Sequence, residues 1–149
     1  MRKKSHVSLS RYLLNNIDSE LLENHRKAFI VGSVLPDCKP SFVTTKHNME
    51  ETFDMVCEFI RKLTVNSDDY KKISTAYCRK LGEVTHYLAD YFTFPHNTIY
   101  PGSLKDHCSY EEKLKRDLRS YLKSGEATRH HRLLQLKEEH EKLQNKKKA

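Results

Sequence analysis

The sequence has no tryptophan, only four glycines and four prolines, and no apolar run of the ~18 residues that a membrane-crossing helix needs. Sustained alternation of apolar and polar residues is also missing. With so few turn formers, a strand-rich architecture is excluded and an all-α chain is expected. The four cysteines, Cys38, Cys57, Cys78 and Cys108, contain no CxxC pair, which excludes a zinc ribbon and a disulfide framework. Reduced, mostly buried thiols are the expectation. The opening MRKKSHVSLSRYLL is basic, but it has neither a long apolar stretch nor a small-residue cleavage site. No signal peptide is therefore expected, and the expected location is cytoplasmic.

What is present is a chain of 149 residues, long enough to bury a real core, with 37% hydrophobic and 32% charged residues. A net charge of +7 points to acidic partners: phosphates, anionic lipid or nucleic acid. Much of the surplus sits at the ends, in Arg2, Lys3 and Lys4 and in Lys146, Lys147 and Lys148, where solvated tails are expected.

Apolar spacing predicts a first helix over about 6–23, with Leu9, Leu13, Ile17 and Leu21 on one stripe. A shorter helix lies in HRKAFIVGSVL and ends at Pro36, and a third covers 47–64. The fourth is opened by NSDD and runs to about 92. Ile73, Tyr77, Leu81, Val84, Leu88 and Tyr91 form its seam, and Pro95 stops it. Ser103 and Asp106 resemble a capping box that starts the fifth helix, with Leu114, Leu118 and Tyr121 facing inward as far as about 123. The expected organisation is a single-domain multi-helix bundle over 1–125, followed by a charged C-terminal helix or tail over 126–149. Tyr91, Phe92, Phe94 and Tyr100 read as core aromatics that could also floor a lipid or base pocket.

Nine histidines are unusual for this length. His25, His130, His131 and His140 read as solvent-facing. His6, His47, His86, His96 and His107 stand near carboxylates or on faces that should be apolar. His86 and Asp90 are four residues apart, as are His107 and Glu111, so each pair projects from one helix face and can chelate an ion. Imidazole nitrogen with carboxylate oxygen suits zinc. The face of the fourth helix bearing Gly82, His86, Asp90 and Thr93 lies opposite the seam. It is either plain solvent surface or the wall of a cleft, and Gly82 would let another segment come close. Asp37 follows Pro36 in a loop, and His47 opens a helix.

In order, these residues are His6, Asp37, His47, His86, Asp90, His96, His107 and Glu111. The order, with its internal His-x3-Asp-x5-His and His-x3-Glu spacings, resembles the zinc-dependent phospholipase C family of bacteria, which is related to fungal single-strand nucleases. The resemblance implies an all-helical fold and up to three zinc ions. Asp37, His47 and His86 would hold one ion and Asp90 would bridge it to a second, bound by His6. His96, His107 and Glu111 would hold the third. In that family the N-terminal amine and carbonyl complete the second site. Here Met1, a trimmed terminus or a water could take that place.

The resemblance further implies hydrolysis of a phosphate ester, whether phospholipid, nucleotide or small phosphodiester. A water made acidic by the metals would attack phosphorus, and Asp37 would act as ligand and catalytic base. Cys38 stands where the phospholipases carry a headgroup-binding aromatic. Two other readings stand beside the enzyme. One is a non-catalytic protein whose helices are stapled by zinc. The other is a basic protein that contacts anionic membrane or nucleic acid through its lysine-rich ends. No obligate protein partner is expected.

Overall fold

A computed structural model describes residues 1–39, 48–64 and 74–148. Its elements are α1 (Lys3–Asn16), α2 (Glu20–Asn24), α3 (Arg26–Val34), α4 (Met49–Thr64), α5 (Ser74–Tyr91), α6 (Leu104–Lys123) and α7 (Glu126–Lys148). Single 3-10 turns at Pro36–Cys38 and Phe94–His96 complete it. No strand occurs among the described residues, so the all-α expectation holds. No described helix is long and apolar enough to cross a membrane. His47, Ile73 and the NSDD start of the fourth predicted helix lie outside the described residues.

The chain forms two compact units, Met1–Lys115 and Arg116–Ala149. In the first, α5 is the central element because it has two apolar sides. One packs on α4, through Val56, Leu63, Val84, Tyr87 and Tyr91. The other joins Cys78 to Leu14, Leu22 and Phe29 of α1, α2 and α3. Tyr77 and Leu81 touch both clusters and make them continuous. Tyr91 also donates its hydroxyl to Thr52 Oγ1 at 2.8 Å, because Thr52 already donates to the Asn48 carbonyl. That bond ties α4 to the C-terminal end of α5.

Three sequence expectations need correction. The helix read over 6–23 is two helices. Ile17 is extended and exposed, and Ser19 caps α2 by accepting from the Leu22 amide at 3.4 Å. A capping serine outcompetes the continuation of an apolar stripe, because it satisfies an amide that the longer helix would satisfy only later. Arg26 fastens the corner through Asn15 Oδ1 at 2.6 Å and Glu23 at 2.6 Å. The second correction concerns the thiols: all four are free, but only Cys78 is buried, while Cys38, Cys57 and Cys108 are exposed. The third concerns apolar faces: Leu88 and Tyr121 are 40% exposed although they fall on stripes read as inward.

The capping box does form. The Ser103 amide donates to Asp106 Oδ2 at 2.9 Å, and the Asp106 amide donates to Ser103 Oγ at 3.3 Å. In the second unit, Gly125 takes φ +77, a left-handed conformation that ends α6 and that glycine adopts without Cβ strain. Helix α7 buries Ala127 but leaves Leu133, Leu134 and Leu136 about half exposed.

Candidate metal centre

Helix α5 supplies the inner donors, and a close helix contact decides their surroundings. A Cβ on Gly82 would come 2.2 Å from the Phe29 carbonyl oxygen, and one on Gly32 would come 2.0 Å from that of Arg79. Glycine at both positions lets the backbones of α3 and α5 touch. The face bearing Gly82, His86, Asp90 and Thr93 is therefore buried rather than solvent-exposed. This approach also places the Ser33 carbonyl 2.8 Å from His86 Nδ1. A carbonyl can only accept, so Nδ1 carries the hydrogen and the Nε2 lone pair faces inward, as a metal-binding imidazole requires.

That Nε2 lies 3.2 Å from Asp90 Oδ2 and 3.6 Å from Asp37 Oδ1. His6, from α1, stacks on His86 with ring centroids 3.9 Å apart, and its Nε2 lies 3.3 Å from Asp90 Oδ1. His6 is 1% exposed, and its Nε2 has no hydrogen-bond partner among the described residues. Burial lowers its pKa, and the neighbouring His86 adds to that effect against the pull of Asp90. His6 is thus held in the neutral form that a metal ligand needs.

The outer donors come from the connection after α5 and from α6. Thr93 Oγ1 donates to the Asp90 carbonyl at 2.8 Å, and the turn Phe94–His96 follows, with Pro95 inside it. His96 Nε2 then reaches Glu111 Oε1 at 3.6 Å and Asp90 Oδ1 at 3.9 Å. His107 Nε2, one helical turn before Glu111 on α6, is 3.1 Å from the same Glu111 oxygen. Burial pushes the Glu111 carboxyl up. His96, His107 and the Met1 amine outweigh burial and hold it at about 2. Glu111 is therefore an anion at neutral pH.

Asp90 connects the two groups. Its Oδ2 faces His86, while its Oδ1 faces His6, His96 and the Met1 amine. The amine also lies 3.1 Å from His96 Nε2 and 3.4 Å from Glu111 Oε1. Seven of the eight residues singled out from the sequence, all but His47, thus meet in one continuous set of contacts. Two subsets, His6 with His86 and Asp90, and His96 with His107 and Glu111, offer donor atoms within 4.8 Å of one another.

These spacings suit zinc. Ligand distances of about 2.0–2.2 Å put neighbouring donors of a tetrahedral ion roughly 3.3–3.6 Å apart. His86 Nε2 with the Asp90 and Asp37 oxygens is a mixed nitrogen and oxygen donor set of the kind that zinc takes.

The sequence reading missed the groups that hold Asp37. Lys39, two residues on, reaches the buried Glu83 of α5 at 3.2 Å, and Lys80 reaches the same carboxylate at 2.9 Å. This pairing pins the Pro36–Cys38 turn against α5. Asp37 itself lines a cavity of about 520 Å³ together with His96, His107 and Glu111. Arg2, Lys3, Lys4 and Lys115 make its wall cationic. Lys3 and Lys4 occupy the first turn of α1, the positive end of the helix dipole, where basic side chains carry a local cost. Local rules are broken in this way chiefly at functional sites. Arg2 and Lys115 both pair with Glu112, and Arg2 also donates to the Cys108 carbonyl at 3.3 Å. Among the aromatics, Tyr91 is core as expected, but Phe92 and Phe94 are exposed, and Tyr100 packs edge-on to Phe94 and His107.

A family model described as zinc dependent phospholipase C matches residues 5–149. Comparison with curated proteins and with solved structures gives no match. The matched span includes every candidate residue from His6 to Glu111 and both donor groups. With four imidazoles and three carboxylates, Asp90 among them, in one set of contacts, the chain belongs to the zinc dependent phospholipase C family.

Proposed function

We propose that the protein is a zinc-dependent phosphodiester hydrolase that binds up to three zinc ions. The observation that carries this reading is Asp90. Its two oxygens face different imidazoles, as a carboxylate shared between neighbouring cations would. His86 and Asp37, with His47 of the undescribed segment, would hold one ion. His6 and the Met1 amine would hold a second, and His96, His107 and Glu111 the third. Zinc bound there supplies positive charge that polarises a phosphoryl oxygen and lowers the pKa of water.

The remaining work falls to the chain itself. Lys3 and Lys4 draw an anionic ester to the cavity. Ser33 and the His6 stack keep His86 in one orientation. Asp37, at the cavity wall, takes the proton of the attacking water, and the Lys39–Glu83 pair holds the turn that carries it. The cavity also favours catalysis over a structural staple. Closed zinc sites shield their ions, whereas His96, His107, Glu111 and Asp37 all border open space here.

The test is hydrolysis of a chromogenic phosphodiester, combined with zinc analysis. The expected result is more than one zinc per chain, with turnover abolished by a chelator and restored by zinc. Zinc binding without turnover of any phosphate ester would leave the staple instead.

A further inference from the structure

His96 borders surroundings of opposite charge. It lines the cavity shared with Asp37, His107 and Glu111, whose wall carries Arg2, Lys3, Lys4 and Lys115. It also lines two recesses with Glu50, Glu51 and Asp54 of α4.

The cations of the cavity wall are not equivalent. Arg2 and Lys115 both pair with Glu112, so one carboxylate answers them in part. Lys3 and Lys4 are exposed, and no carboxylate among the described residues pairs with either. Both stand in the first turn of α1, where the helix dipole disfavours a cation. Two adjacent charges held against the dipole and against each other are lowered in energy when an anion meets them.

The scissile phosphate does not account for this pair. A phosphodiester carries a single negative charge, and it belongs at the metal donors, where bound zinc supplies the positive charge it needs. The unmatched lysines therefore answer a second anionic group of the same molecule. The carboxylates of α4 repel such a group, which fixes its direction, from the metal donors toward α1.

We propose that Lys3 and Lys4 form a second phosphate subsite, so that the substrate is a soluble phosphodiester bearing a further phosphate group. The proposal rests on the hydrolase reading for its reaction and names the substrate class.

Two chromogenic esters test it: the p-nitrophenyl ester of thymidine 5′-phosphate, and the same ester with a 3′-phosphate added. With zinc-loaded protein the added phosphate should raise kcat/KM about tenfold, chiefly through KM, because each exposed lysine contributes a modest attraction. The advantage should shrink as salt rises. In Lys3→Gln/Lys4→Gln the ratio between the esters should fall to about one, whereas Lys3→Arg/Lys4→Arg should keep it. Equal treatment of the two esters by the parent protein, or an undiminished ratio in Lys3→Gln/Lys4→Gln, would overturn the subsite. Calorimetry of the zinc-loaded protein needs no turnover. Thymidine 3′,5′-bisphosphate should bind about tenfold more tightly than thymidine 5′-monophosphate, and Lys3→Gln/Lys4→Gln should lose that difference. Equal binding of the two nucleotides would also overturn the subsite. A parent protein that shows the binding preference but hydrolyses neither ester refutes the hydrolase and not the subsite. Competition by fructose 1,6-bisphosphate would assign the subsite to sugar phosphates as well as nucleotides, and its failure to nucleotides alone.

Discussion

The two donor groups at the centre differ in how the protein holds them. His6, His86 and Asp90 are at most 1% exposed. The side chains of His96, His107 and Glu111 are 13–27% exposed, border the cavity, and depend on a short connection and the first turns of one helix. The inner group is part of the core. Its orientation is set by the glycine contact between α3 and α5, the Ser33 carbonyl and the stacked rings. The outer group is part of a surface. The contrast suggests a division of labour in which the buried donors fix the position of bound metal and the open ones meet substrate.

The strongest challenge to this division is Asp90→Asn, since Asp90 of the inner group also faces His96 of the outer one. The neutral amide keeps the shape but removes the charge facing His6, His86, His96 and the Met1 amine. Phosphodiester hydrolysis should fall to background, and zinc per chain should drop. Removing one member of a buried charged set costs roughly 3–5 kcal/mol, so urea unfolding of metal-free protein should show a loss of that order. Normal turnover in this variant would mean that Asp90 is not shared between ions.

Gly82→Ala probes the inner group alone, through packing. The added methyl meets the Phe29 carbonyl oxygen at 2.2 Å and the Ser33 amide nitrogen at 2.9 Å, both backbone atoms that cannot rotate away. A destabilisation of about 3 kcal/mol is expected in urea unfolding, with weaker zinc binding because the Ser33 carbonyl shifts from His86.

Acid separates the two groups in metal-free protein. The folded His6 has a lowered pKa, so the unfolded chain binds the extra proton first. Stability from this group is therefore complete above the ordinary value of 6.5 and declines as pH falls below it. The folded Glu111 is held at about 2 instead of 4.5, so its contribution is complete above 4.5 and is lost as pH falls from there toward 2. Unfolding free energy measured against pH should show two successive declines. His6→Ala should remove the first and Glu111→Gln the second.

The smallest effect on stability is expected for His107→Asn. His107 is 27% exposed and sits on a helix without buried residues, so stability should change by less than about 0.5 kcal/mol. Zinc content should nevertheless fall by about one ion, and hydrolysis should fall with it. A large loss of stability would show that the outer group is also structural.

Much of this could be read from residue spacing. His86 with Asp90 and His107 with Glu111 are a helical turn apart, and the geometry of one helix keeps such pairs together whatever surrounds them. The capping box at Ser103 was legible for the same reason, since its bonds span only three residues. The corner at Ile17–Ser19 was misread because apolar periodicity and a capping serine made opposite demands, and the cap prevailed. The exposure of Phe92 was misread because an aromatic at helical spacing is ordinarily core, and nothing local marks the exception.

The sequence by itself determined the helical class, the donor types and the pairs that share a helix face, since each depends on contacts within a few residues. Only the tertiary structure decided that the face of α5 bearing His86 and Asp90 is buried, that His6 reaches it from more than eighty residues away, and that Asp90 turns one oxygen to each neighbour. The physical reason is the close approach of Gly32 and Gly82. Two absent side chains let the backbones of α3 and α5 touch, and no pattern within either helix specifies which helix will fill the space that the other leaves.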